Sequence, residues 1–490
     1  MSPLGTGSAS GALAIRPVVG GLALLLAFLG LGLAILLAAD PMIATACVAG
    51  ALLLGFCLLR PLGGLVLILV TVSFLGSESL LRLHFGWQWV EADLLLGAAV
   101  LGWGARSLAR GETLRIGRLE VAFAIFGLFL LLGAALGLGA GHRFEDLRSE
   151  LRPPAYMFAT YAIVRSSIRR PAQARRMMTV LAVAAVLSAL KALIVYGTVP
   201  LAPAGGPEER IWATRVMNSS GVKRVIAQGA EIYPVLATLW ILPALPGISS
   251  IRRRLLGWAA VATLLLAVLV SMTRSYWLGL AAGFGALLCA HRFRVGMRIG
   301  REALGAILLL VCFALLLQSI VPGFDLRSLT GPAGQRALGT LMGGVDPSAR
   351  GRIAELESIR ALVAASPWTG SGLGGTYLFY SSLTGGLRVW EFTHNSYAHW
   401  ALKLGIPGLL SALVVLGLGL ASAVSWLRRA PSVEERTIAS GLLASLFALL
   451  VLSLTAPWLT HYVGAAWAGL IIGCCESMRA GAIRRQEGGE

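Results

Sequence analysis

The stretch LEVAFAIFGLFLLLGAALGLGA, residues 119–140, carries one charge, Glu120, along its whole length. Wound as a helix at 1.5 Å per residue, it reaches about 33 Å, enough to cross the roughly 30 Å hydrocarbon layer of a bilayer. A spanning segment finds no water for its backbone, so it must satisfy its N–H and C=O groups internally, as a helix does. Runs of the same character recur at 18–38, 41–59, 62–79, 92–109, 154–168, 177–198, 229–248, 255–272, 276–291, 302–321, 403–427, 435–455 and 458–477. Together they predict an all-α, polytopic transmembrane helical bundle with about fourteen spans. A β-barrel would show alternating segments of about ten residues, and none is evident.

Composition agrees: 57% of the 490 residues are hydrophobic and 13% charged, against about 25% charged in an ordinary soluble domain. Mean hydropathy is +0.79. In a soluble protein a net charge of +18 would suggest nucleic acid, but here the distribution decides. The clusters Arg106/Arg110/Arg115/Arg118, Arg165/Arg169/Arg170/Arg175/Arg176, Arg252/Arg253/Arg254, Arg292/Arg294/Arg298/Arg301, Arg428/Arg429/Arg436 and Arg479/Arg484/Arg485 all fall on one side of this span map. That side is the cytoplasm, where both termini then lie, and the partners implied are membrane lipids and no nucleic acid. Met1 to Pro17 holds only Arg16 and no clear cleavage site, so the first span reads as a retained anchor. The cysteines Cys47, Cys57, Cys289, Cys312, Cys474 and Cys475 sit inside apolar runs without metal-type spacing and read as buried filler. The whole chain, 1–490, is expected to form one integral membrane domain.

Three outer segments interrupt the short loops, at 141–153, 199–228 and 322–402. The second is a basic loop with Arg210, Arg215, Lys223 and Arg224 on the face that otherwise avoids excess positive charge. Guanidinium groups bind phosphate oxygens bidentately, so an anion is one natural guest. Solvated charges balanced by Glu208 and Glu209 are the other reading. Arg274 stands in MTRSYWLG (272–279), at a tight outer turn between two apolar spans, where it must snorkel or meet a partner.

The third segment, a large extracytoplasmic loop, holds the best chemical candidate. Ile353, Leu356, Ile359 and Leu362 recur three apart, with Arg350 and Arg352 just before them and Arg360 among them, predicting a helix over 348–365 along the membrane surface. The following glycine run, 370–375, lacks the preceding strand that a nucleotide loop requires. Next comes THNSYAHW (393–400). An imidazole at the outer interface can accept a proton near neutral pH, as activation of a sugar hydroxyl requires, or His394 can simply cap the helix that follows. His399 falls on another helical face and reads as structural.

Taken together, MTRSYWLG (272–279), the stretch from Arg352 through Pro367 to Gly374, and THNSY (393–397) followed by GIPG (405–408) resemble the O-antigen ligase and O-antigen polymerase superfamily. The resemblance covers about 210–420. It implies a glycosyltransferase that moves a glycan from an undecaprenyl-diphosphate carrier to an acceptor hydroxyl, outside the bacterial inner membrane. His394 would be the catalytic base, and Arg274 would bind the donor diphosphate. Arg215 is first among the loop arginines that could join it, followed by Arg210 and Arg224, and Arg352 matches an arginine that opens the surface helix. The partners implied are the carrier-linked donor, a glycan or lipid A-core acceptor, and a chain-length regulator.

The chemistry is coherent, because arginines placed against the departing diphosphate stabilise its developing charge. A single displacement inverts the anomeric carbon. Asp40, Asp93, Asp146, Asp325 and Asp346 are isolated, so no Asp-x-Asp motif holds a metal, and the expectation is metal-independent chemistry without a cofactor. A secondary transporter or lipid-linked glycan flippase is the alternative. It would place ionisable groups near the midplane in two related halves, whereas Glu78, Lys191, Glu231 and Lys403 map toward the outer third. Chain length and the third loop favour a polymerase over a ligase.

Overall fold

The structure is a computed structural model that describes residues 41–75, 91–111, 116–200, 209–211, 214–219, 222–227, 231–290, 347–381 and 386–487. The spans expected at 18–38 and 302–321, the leading segment and most of the start of the third loop lie outside the described residues. Each of the other twelve expected spans is occupied by a helix. In chain order the helices are α1 (Pro41–Leu59), α2 (Pro61–Leu75), α3 (Glu91–Ala109), α4 (Arg118–Gly139), α5 (Phe144–Ser167), α6 (Pro171–Thr198), α7 (Tyr233–Ile241), α8 (Ile251–Ser271), α9 (Arg274–Ala290), α10 (Pro347–Ala365), α11 (Ser396–Arg429), α12 (Val433–Leu452) and α13 (Tyr462–Glu487). A 3₁₀ turn, Leu242–Gly247, extends α7. Five of them, α4, α6, α8, α11 and α12, are long and apolar enough to cross a membrane. Large apolar side chains stand exposed along them, among them Leu131 and Val183, a surface suited to lipid rather than water. A helical multi-pass membrane protein is the architecture these elements support.

Not every element is helical. Within 199–228, expected as a loop, β1 (Glu209–Ile211), β2 (Thr214–Ser219) and β3 (Val222–Ala227) form an antiparallel sheet in the order β1-β2-β3. Within the third loop, β4 (Tyr377–Ser381) and β5 (Gly386–Trp390) form a hairpin. The all-α expectation is corrected to that extent. The cause is apolar side chains at period two: Val216 and Val225, opposite each other, are buried against Tyr196, Val199, Leu266, Val270 and Met272.

Residues cluster in two compact units, one holding 1–72 and 77–116, the other 73–76 and 117–490. In the first, α1 lies so near α3 that a Cβ on Gly102 would stand 2.1 Å from the Leu58 carbonyl oxygen. In the second, α5 packs along α13, where a Cβ on Gly469 would meet Thr160 Oγ1 at 2.1 Å. Thr160 spends that proximity on a hydrogen bond to the Ala466 carbonyl. Small residues that let backbones touch are the usual device of membrane helix packing. Cys57, Cys474 and Cys475 are buried as expected, but Cys289 is exposed on the surface of α9.

The motif GIPG (405–408) breaks α11. Gly405 takes φ 71°, ψ 179°, and Pro407 has no N–H to offer the Lys403 carbonyl. Backbone from the glycine run repairs the gap: Ser371 N–H donates to Leu402 O at 2.8 Å and Gly372 N–H to Lys403 O at 3.1 Å, while Ile406 N–H turns to Pro367 O at 2.8 Å. Leu373 N–H reaches Gly133 O of α4, and His142 Nδ1 reaches Leu373 O at 2.8 Å. Gly370, Gly372 and Gly374 all have φ between 67° and 79°, a conformation that side chains resist. The glycine run is therefore a plug for a broken helix.

Beneath the plug, Lys403 of α11 donates to Glu150 of α5 at 2.5 Å and to the Gly375 carbonyl. Glu150 also accepts from Gly374 N–H at 2.8 Å. Burial pushes the Glu150 carboxyl up, opposed by the Lys403 ammonium and these hydrogen bonds.

Candidate functional site

His394 enters from the segment between β5 and α11. The next residue, Asn395, caps α11: its side chain accepts from the N–H groups of Tyr397 and Ala398. His394 is therefore free of the capping role. Its Nδ1 lies 2.8 Å from Glu355 Oε2, and its backbone N–H donates to Glu355 Oε1 at 3.1 Å. The imidazole is 45% exposed and the Glu355 side chain 3%.

The Glu355 carboxylate takes a third donor, Tyr377 OH, at 2.6 Å, and Tyr377 OH also approaches Phe392 O at 2.8 Å. Burial by itself would raise the Glu355 carboxyl. The hydrogen bonds from His394 and Tyr377 outweigh it and hold the group below the usual glutamate range. An ionised carboxylate can only accept, so in the neutral ring Nδ1 carries the proton and Nε2 the lone pair.

The surface helix forms as expected, as α10, but it docks through a different face. Ile359 and Val363 pack against Tyr377, Phe379 and Leu402, in line with Glu355 at spacing four, while Ile353, Leu356 and Leu362 stay exposed. Arg352, one turn before Glu355, belongs to the docked face. His399 is buried, in keeping with a structural place.

A second group gathers where α8 meets α9. Met272 closes α8 in the left-handed region, φ 50°, ψ 28°, a conformation costing a non-glycine residue about 1–2 kcal/mol. It persists because the Met272 side chain is sealed into the core under the sheet. That reversal puts Arg274, half-buried, at the first residue of α9.

Among the loop residues whose side chains are described, Arg224 is tied to this turn. Its Nε donates to Ser271 O at 3.1 Å and its Nη2 to Thr273 Oγ1 at 3.2 Å. Strand register pairs Arg210 with Arg215, and Met217 with Arg224. Lys223 turns inward to the carbonyls of Tyr196 and Val199. A small cavity adjoins the turn, lined by Val225, Ile226, Glu231, Ser271 and Tyr276, with Tyr276 hydrogen-bonded to Glu231.

The segment between α12 and α13 links both groups. Ser396 N–H donates to Ser453 O and Leu459 N–H to Ser396 Oγ, anchoring the His394 segment. Trp458 on the same turn stacks near Tyr276 at 6.1 Å. The fold thus ties Arg224 to the Arg274 turn, places Arg352 one turn before Glu355 on α10, and brings the segment that anchors Ser396 alongside Tyr276. Reading the sequence missed Glu355, Glu231 and this turn. Glu355 carried one usable signal, an acid at spacing four from Ile359 on a helix's apolar side.

Residues 259–413 match the family model described as O-antigen ligase, which bears out over that stretch the resemblance to the O-antigen ligase and polymerase superfamily. No curated protein matches significantly. A chain from the solved structure titled "Structural coordination of polymerization and crosslinking by a peptidoglycan synthase complex" is similar at 17% identity, over 75% of this chain and 97% of that one, with a TM-score of 0.37.

Proposed function

We propose that this protein is an inverting, metal-independent membrane glycosyltransferase that moves a glycan from a polyprenyl-diphosphate carrier to an acceptor hydroxyl. The observation that carries the reading is His394, part-exposed and held through Nδ1 by a buried carboxylate, inside a stretch that matches the O-antigen ligase family. In this reading the chain crosses the bacterial inner membrane about fourteen times, with both termini cytoplasmic and the site outside.

The acceptor hydroxyl gives its proton to His394 Nε2 as its oxygen bonds to the anomeric carbon. The bond from that carbon to the diphosphate breaks, and the electron pair leaves on the diphosphate oxygen. Arg274 and Arg224, fixed beforehand by the turn, stabilise that charge without reorganising. Arg210 and Arg215, paired in register in the same sheet, are the further candidates for the donor diphosphate, and Arg352 serves the His394 side. The lipid-borne donor explains why such an enzyme is embedded, since its diphosphate stays at the membrane surface. Polymerase and ligase share this chemistry and differ in the acceptor, a second carrier-linked glycan or a lipid A-core.

The test is glycan transfer by purified protein, supplied with a polyprenyl-diphosphate oligosaccharide and each acceptor in turn, comparing wild type with His394→Ala and Arg274→Ala. Transfer by wild type and its loss in both folded variants supports the proposal. Equal turnover by all three removes these residues from the chemistry, and movement of intact donor between leaflets without transfer would favour a flippase.

A further inference from the structure

We propose that Glu355 is the positioning residue for His394, setting both its tautomer and its orientation so that Nε2 presents the lone pair. This rests on the reading of His394 as the base. One carboxylate controls the residue at two points, because Oε2 meets the ring at Nδ1 and Oε1 takes the backbone N–H. The ring is thereby restrained about its side-chain torsions as well as at its Cα.

The carboxylate itself is held rigidly. Tyr377 OH contacts both Oε1 and Phe392 O, joining α10 to the chain that leads into His394. Ile359, one turn further along α10, is locked against Tyr377, Phe379 and Leu402. A buried carboxylate there is costly unless it is fully hydrogen-bonded; Oε1 is taken up by Tyr377 OH and the His394 N–H, and Oε2 is aimed at the part-exposed imidazole. As the acceptor's proton arrives at Nε2 the ring becomes a cation, and a fixed anion 2.8 Å away stabilises it in the transition state more than in the ground state.

The experiment compares wild type, Glu355→Gln, Glu355→Asp, His394→Ala and the Glu355→Gln/His394→Ala double variant. It reads kcat and KM for donor and acceptor, together with the ¹⁵N signals of the His394 ring, assigned by their loss in His394→Ala. Wild type is expected to show protonated Nδ1 and unprotonated Nε2 in the neutral ring. Glu355→Gln should mix the tautomers and lower kcat by about tenfold to a hundredfold with KM little changed, as outer partners of functional histidines do.

In the His394→Ala background Glu355→Gln should cost nothing more, because the two act as a unit. Glu355→Asp keeps the charge but draws it back by one methylene, so it should fold and still lower kcat. The inference is overturned if Glu355→Gln leaves kcat and tautomer unchanged, if its loss persists in the His394→Ala background, or, should that variant not fold, if Glu355→Asp is fully active. A fully active His394→Ala would instead sink the base reading itself.

Discussion

Replacing Lys403 with methionine tests whether the buried contact under the glycine plug is an ion pair. Both side chains are almost completely enclosed, Lys403 at 0% and Glu150 at 2% exposure, and 2.5 Å apart. Lys403→Met keeps the volume but leaves Glu150 the hydrogen bond from Gly374 N–H in place of the ammonium. Breaking one side of a buried pair typically costs about 3–5 kcal/mol.

The carboxylate has an escape, which is to take up a proton. At pH 7, holding a group of ordinary pKa about 4.3 in its neutral form costs 1.36 kcal/mol per pH unit, or about 3.7 kcal/mol. The loss in Lys403→Met should therefore be about 3–4 kcal/mol at pH 7. In the variant the folded state binds a proton that the unfolded chain releases above about pH 4.3. Its deficit accordingly grows as pH rises and shrinks to roughly 1 kcal/mol near pH 5.

Lys403→Met/Glu150→Gln should recover most of the stability and abolish the pH dependence. Unfolding of purified protein in detergent, followed by tryptophan fluorescence between pH 5 and 8, gives both quantities. A Lys403→Met deficit below about 1 kcal/mol at pH 7, or one that grows toward acid pH, would refute an ionic Lys403–Glu150 contact.

Three further outcomes follow from the site. Arg224→Ala should lower kcat/KM for a polyprenyl-diphosphate donor by about a hundredfold, as removal of one donor to a developing oxyanion does, and Arg224→Lys should not restore it because its Nε and Nη2 contacts require the guanidinium fork. Asn395→Ala removes the cap of α11 and should cost about 1 kcal/mol in unfolding measurements, with transfer slowed because His394 precedes the cap directly. Excess chelator should leave transfer unchanged in an assay of the purified protein. Loss restored by Mg²⁺ or Mn²⁺ would overturn metal independence.

Much of the architecture is legible in the chain alone. Twelve of the expected apolar runs overlap helices, because a long apolar run that spans a bilayer leaves the backbone no other way to satisfy itself. His394 and Arg274 stood out because an imidazole at the outer interface can take a proton near neutral pH and an arginine at a tight turn between apolar spans must snorkel or meet a partner. The three-stranded sheet was hidden by its brevity: valines alternating over six residues are overshadowed by long apolar runs on either side.

The contact of Arg224 with the 271–273 turn, the carboxylate behind His394 and the partner of Lys403 were visible only in the tertiary structure. Arg224 meets Ser271 across 47 residues, Glu355 meets His394 across 39, and Glu150 meets Lys403 across 253. Hydrophobic length is a property of each segment by itself, so a sequence displays it. Which polar group answers which depends on how segments pack, and a buried polar atom accepts whichever partner the packing brings within reach.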